Sequence, residues 1–461
     1  MKKIFLLAIL LAAIGAATCF YQPQNPVVNA ADYATFMDEN HLKKKRVALS
    51  EEIGFWKKKL TSNPGNYVFE KKLAGLSAKR FKLTGNPQDI HRSDSLLKSV
   101  NERLPGQVGV LHSLTANAIT RHAFKEAQAY ITQAYEIGEK RFVSSLLLTD
   151  VLLERGQFFS AKRYLLEATS ESHFDYLIRD VKFQDQIGDL GRAIQQMEKA
   201  LSKAEASGNP QVVHWSLSNL ADMYGHDGRI SQSYNTYLKA LTYNPADLHS
   251  LKGIAWIAFS HDKNTAEAKR ILHYLKSVHP VPDYDLMLAE IAIFENDAAL
   301  AKELQESFIE EAGKPVYGSM YKGYLCELTS HRPNALAIAK TEVEERPHPT
   351  SYDLLAWAHF HNGNLKKAVE LTENHVLNQT GEPVAQYHSG VILKEAGQYE
   401  KAEEYLEEAL GAGYELGPVV AQEIKTHLEE LDRRSLTASQ ETVAKVLDWF
   451  QYAKSRRFIK S

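Results

Sequence analysis

The chain has 461 residues, room for two or three ordinary domains or one long repeat array. Lys and Arg number 54 against 57 Asp and Glu, a net charge of −3, with 24% charged and 44% hydrophobic residues. That balance excludes a disordered tail and a polytopic membrane protein, and argues against a dedicated nucleic-acid binder, which would be strongly basic. Two cysteines exclude a disulfide scaffold and every cysteine-based zinc or iron–sulfur cluster.

The first element is a leader. Met1-Lys2-Lys3 precedes an apolar run from Ile4 to Ala17 that ends in small residues Gly15, Ala16 and Ala17. A short basic start, an apolar stretch and a small-residue end predict a secretory signal peptide over 1–18. The run is short for a membrane span. Cys19 stands where a bacterial lipoprotein carries its lipid, so it is the candidate lipidation site. The preceding Ala16-Ala17-Thr18 departs from the usual lipobox. Residues 19–66 read as a linker and basic capping helices. Within them, 32–60 look helical and end Leu60-Thr61-Ser62-Asn63-Pro64, like a half-repeat closing a stack.

Charge is uneven along this stretch. Residues 41–82 hold twelve Lys or Arg and three Glu, a net of +9, while 83–461 sum to −11. One reading is a solvated face of the cap helices. Another is attraction to anionic headgroups beside an N-terminal membrane tether.

The next elements repeat. Leu217, Leu220, Ala221 and Tyr224 are followed by Gly228, Ser233, Tyr237, Ala240 and Pro245. Tyr387, Gly390, Gly397, Tyr399, Ala402, Tyr405 and Ala409 form a second strong copy, and Leu355, Ala356, Gly363, Asn364 and Ala368 a third. Small residues at Ala221, Ala255, Ala289, Gly323, Ala356 and Gly390 are spaced 34, 34, 34, 33 and 34. A second series runs Ala127, Ala161, Ala193, Ser233, Ala268, Ala301, Ala335, Ala368 and Ala402. Copies near Ala78 and Val181 are degenerate. The pattern resembles the tetratricopeptide repeat, over roughly 67–416. The fold class it implies is all-α: an α-solenoid superhelix of about ten helix-turn-helix repeats. Small residues sit where helix backbones approach, and one repeat cannot bury its own apolar face.

The last elements read as C-terminal capping helices over 417–461. Val419, Val420, Ile424, Leu428 and Leu431 make one apolar stripe. A final helix with Val443, Val446, Leu447 and Phe450 follows Thr437-x-x-Gln440, a capping-box pattern.

In the resembled family the first helices line a concave groove. Carried over residue by residue, the expected partner-binding positions are Trp215, Asp222, His226, Trp256, Phe259, Glu290, Tyr324, Trp357, Phe360, His361 and Tyr387. Aromatic rings at successive repeats can hold an extended peptide. Asp150, Asp175, Asp185, Asp222, Asp283, Glu290, Glu327 and Asp353 fall on the same face, which favours a neutral or basic segment. A glycan is the rival ligand, since rings also stack on sugars.

No catalytic motif occurs among those for zincins, nucleophile elbows or P-loops. Asp222 and His226, four apart on a helix, could share a ligand, yet two ligands make no metal site. Cys326 falls on a core-facing stripe. The expectation is an exported, non-enzymatic scaffold or adaptor of a cell-envelope assembly. It would bind a protein or peptide, with no cofactor, metal or nucleic acid, and with surface glycan capture as the alternative.

Overall fold

The computed structural model describes residues 26–434. The expected signal peptide, Cys19 and the helix after Thr437 lie outside the described residues. A short helix α1 (Ala30–Tyr33) and a long helix α2 (Glu39–Ser62) open the chain. Ten helix pairs follow among the described residues. They are α3 (Tyr67–Thr84) with α4 (Pro87–Arg103), α5 (Val108–Thr120) with α6 (Phe124–Ile137), α7 (Arg141–Glu154) with α8 (Phe158–Glu167), and α9 (Phe174–Gln186) with α10 (Leu190–Ser207). Next come α11 (Pro210–His226) with α12 (Ile230–Tyr243), α13 (Leu248–Trp256) with α14 (Thr265–Val278), and α15 (Asp283–Phe294) with α16 (Ala298–Ala312). The last are α17 (Lys322–Leu328) with α18 (Ala335–Glu345), α19 (Pro349–His361) with α20 (Leu365–His375), and α21 (Pro383–Glu395) with α22 (Tyr399–Gly411). Residues 413–434 are also helical. The all-α solenoid of about ten pairs is the fold that the 34-residue frame implies.

Helix starts follow local chemistry. Asn86 and Asn209 accept a hydrogen bond from the backbone two residues on, and Pro87 and Pro210 occupy the first helical position, where no N–H is needed. The small residues do what their spacing implies. Every second-helix position from Ala127 to Ala402 is buried, and Ser233 donates to the Ala221 carbonyl at 2.7 Å across its pair. The Ile424 side chain is fully buried and Leu431 nearly so, with Val420 and Leu428 beside them, so the stripe past 417 faces the last pair.

The irregular copies are not those near Ala78 and Val181, whose helices are regular. The irregular stretch is at α17, of 7 residues, preceded by a 3₁₀ turn at Pro315–Tyr317. A second irregularity ends α13, where Ile257–His261 form a π-helical turn. Cys326 is buried, and burial pushes its thiol up to about 12. It is an inert core group, as its stripe implied.

The stack also closes on itself. A seam of contacts joins parts of the chain far apart in sequence, so successive turns of the superhelix touch. His91 Nε2 lies 2.6 Å from the Val316 carbonyl oxygen. The Lys125 amide donates to Glu345 at 2.8 Å. Arg346 donates to the Glu154 carbonyl at 2.9 Å, pairs with its carboxylate at 3.2 Å, and lies over the Phe124 ring. His348 meets Gln186 at 3.1 Å, and Trp256 donates to the Tyr414 carbonyl at 3.0 Å.

A strap completes the closure. Residues 26–36 leave the cap formed by α2 and run to the middle of the array. The Val27 and Val28 amides donate to Asp262 at 3.0 and 2.8 Å. Tyr33 is fully buried in the core of the α12–α15 region, bonds Glu267, and carries Arg270 over its ring.

Candidate partner-binding surface

The first helices of the later pairs build an inner wall. α15, α17, α19 and α21 place Glu290, Tyr324, Glu327, Trp357 and Tyr387 on successive positions. Tyr324 is half exposed and Trp215 is 41% exposed, so both rings are open to a partner. Glu327 is reached by solvent yet is surrounded by protein, which places it in a recess of the inner wall. Burial there pushes its carboxyl above the usual range; Asp353 adds to this and His388 opposes it. Burial likewise pushes the Glu290 carboxyl up to about 8, with Glu327 adding repulsion. Glu290 Oε1 is enclosed without a hydrogen-bond partner.

Trp357 is half-buried and already stacked. The His388 imidazole lies parallel to it with ring centroids 4.0 Å apart, and His388 in turn meets Asp353 at 2.9 Å. Burial pulls the imidazole down, and the Asp353 carboxylate more than offsets it, which holds the ring above its usual range against the indole face. Phe360 stacks on Trp357 at 5.3 Å, and exposed His361 meets its edge at 4.4 Å. Tyr387 turns its hydroxyl to Glu423 at 2.9 Å.

Other expected positions belong elsewhere. Phe259 is fully buried. It lies in the π-helical turn, whose extra residue rotates the ring from the groove into the core. Trp256 is half-buried and spends its indole N–H on the Tyr414 carbonyl, so the tip of the last repeat already covers it. Asp222 and His226 do not pair with each other. Asp222 accepts from Tyr237 and His249, the latter at 2.7 Å, while His226 lies 3.8 Å from Glu415 across the seam.

That seam holds a second recess that the sequence did not reveal. A cavity of about 1180 Å³ is lined by Asp185, His226, Glu382 and Glu415. Burial pushes all three carboxyls up, and for Glu382 the charges of Glu415 and Asp185 add to it. Only Glu415 has an ion-pair partner among the described residues, through His226. Both recesses are thus lined by carboxyls held above their usual range and eased only in part by cations: Lys263 at Glu290, His226 and Lys182 at Asp185, and Arg346 and His226 at Glu382. Among the described residues no group of three or more His, Cys, Asp or Glu is arranged to hold a metal ion.

The tetratricopeptide-repeat family model matches residues 384–412. No curated protein sequence matches. Among solved structures, the human IFIT1 dimer with PPP-AAAA is 16% identical, over 72% of this chain and 77% of that one, with a TM-score of 0.44. Yeast Tom70 is 13% identical over 91% of this chain and all of that one, at 0.33. A tetratricopeptide repeat protein from Parabacteroides merdae is 19% identical over 57% and 99%, also at 0.33. The family match falls on the α21–α22 pair, and the other helix pairs repeat the same 34-residue frame.

Proposed function

We propose that the protein is an exported scaffold or adaptor. It holds a neutral or basic segment of a protein partner against its acidic, aromatic inner wall, within a cell-envelope assembly. Helical repeats of this type serve protein–protein interaction in general. The observation that carries the finer reading is the crowding of carboxyls along the wall: Glu290 with Glu327, the latter beside the open ring of Tyr324, and Glu382 with Asp185 across the seam. Burial and like charge hold these carboxyls up, and an incoming Lys or Arg supplies the opposite charge that favours their ionised form. A wall of pre-arranged rings and carboxyls suits binding, because most of the ordering cost then falls on the partner. The basic start and apolar run of Met1–Ala17 support export.

The test is capture of cross-linked partners from the envelope fraction, comparing the parent with Tyr324→Ala/Glu327→Gln. Trp256 is unsuited to this purpose because its loss would loosen the seam. Recovery should fall by roughly tenfold, the scale of a lost aromatic hot spot. Equal recovery would remove the inner wall from the reading. Titration with basic peptides and with soluble oligosaccharides separates the ligand classes: saturable sugar binding lost in the same variant would replace the peptide. Fractionation of the parent and Cys19→Ala reads out export and anchoring.

A further inference from the structure

A cavity of about 880 Å³ opens between the basic N-terminal helices and the middle of the array. α2 and the end of α3 form one side. The starts of α13 and α15 and residues 317–321 form the other. The seam holds these sides together, with Arg46 donating to the carbonyls of both Leu83 and Val278. The volume falls in the range of roughly 300–1,000 Å³ common to ligand sites. Its lining is apolar at Leu42, Leu49, Phe81, Val281 and Tyr284.

Its charge is positive and in surplus. Lys45, Lys79, Lys82 and Lys252 all line it. Lys45 donates to the Asn244 side chain, and burial, with Lys79 adding repulsion against the pull of Asp247, lowers its ammonium. Lys79, Lys82 and Lys252 have no hydrogen-bond or ion-pair partner among the described residues. The acids present are already engaged. Glu52 meets Lys72 at 3.3 Å, Asp247 meets His214 at 2.8 Å, and Asp283 accepts from the Tyr321 hydroxyl at 2.7 Å.

We propose that this cavity binds an acidic peptide segment carrying apolar side chains. The lysines stand on three separate helices, so their charge is spread over the cavity. That arrangement suits carboxylates spaced along a chain better than one compact phosphate, which a guanidinium fork would grip. Apolar side chains fill the lining, and the acids neutralise the free ammonium groups. The surface is opposite in sign to the inner wall and does not depend on it, so the scaffold has two binding faces of unlike charge.

The experiment selects a random octapeptide display library on the full chain, then measures binding of labelled selected peptides by fluorescence anisotropy. Besides basic peptides selected by the inner wall, the pool should hold a class rich in Asp and Glu alternating with apolar residues. The affinity of that class should fall roughly tenfold in Lys79→Gln/Lys82→Gln/Lys252→Gln, whose helix content should be unchanged because those groups hold no partner. It should also fall as salt rises from about 0.1 to about 0.5 M. Tyr324→Ala/Glu327→Gln should leave it within about twofold, which keeps this surface distinguishable from the inner wall. A pool without that acidic class, or a triple variant that binds it like the parent, overturns the proposal. Full displacement by millimolar inorganic phosphate would convert the cavity to a simple anion site and also overturn it.

Discussion

Gly156 faces backbone across the seam, and Gly156→Ala tests whether the turns of the superhelix really bear on one another. The residue has φ +65°, in the left-handed region. An L side chain there costs roughly 1–2 kcal/mol. The added methyl would lie 2.7 Å from the Pro347 carbonyl oxygen and 3.1 Å from the His348 Cα. Both atoms are backbone and cannot rotate away. Relief requires the 346–348 loop to move out, which strains the adjacent bond from Arg346 to the Glu154 carbonyl. Overpacking of this kind costs about 1–3 kcal/mol, for a total of about 2–5 kcal/mol. Gly363 is the internal control: its φ is +76°, yet no atom lies within 4 Å of a Cβ built there. Gly363→Ala should therefore lose only the conformational part, about 1–2 kcal/mol. Urea unfolding followed by circular dichroism measures both. Equal losses in the two variants would refute the reasoning, because the seam would then contribute nothing where Gly156 meets Pro347.

Glu290 makes stability depend on pH. The folded chain keeps its proton up to about pH 8, whereas an unperturbed glutamic acid releases it near 4.5. Between those values the folded state binds the extra proton, so this group removes stability as pH rises through the window and adds no further slope above it. Glu290→Gln should flatten the urea midpoint between pH 5 and pH 8 relative to the parent, and an unchanged slope counts against the buried carboxyl. Tyr33→Ala should cost about 3–5 kcal/mol, the scale of a fully buried aromatic ring. Limited proteolysis should then cut near residues 26–36 before any site in the array; a parent-like digest would mean that the strap is not held by its tyrosine.

The helix pairs were legible because a period of 34 residues is written in local, repeated choices: small residues at crossings and breakers at turns. The stripe of Ile424 and Leu431, and the inert burial of Cys326, followed from the same local rule. The seam was not legible. It depends on the small rotation from each pair to the next, summed over many pairs, which no single repeat records. For the same reason Trp256 looked open and is covered, and Asp185, Glu382 and Glu415 meet although they lie in different repeats. Phe259 was misplaced by one turn of π-helix, which the residue pattern of α13 does not announce. The strap carries no repeat signature at all, and Asn29–Tyr33 read as part of a linker and cap.

The seam also changes how such a molecule responds to force. In an open solenoid each repeat contacts only its neighbours, so the coil stretches by small hinge motions and the ends fray first. Here Arg346, His348 and Trp256 tie each turn to the one before it. A pull on the two ends must break these ties before the coil can lengthen. The protein is thus a spring wound shut, stiff under small loads and yielding in steps, with the acidic recess at Asp185 and Glu415 pulled apart as its turns separate.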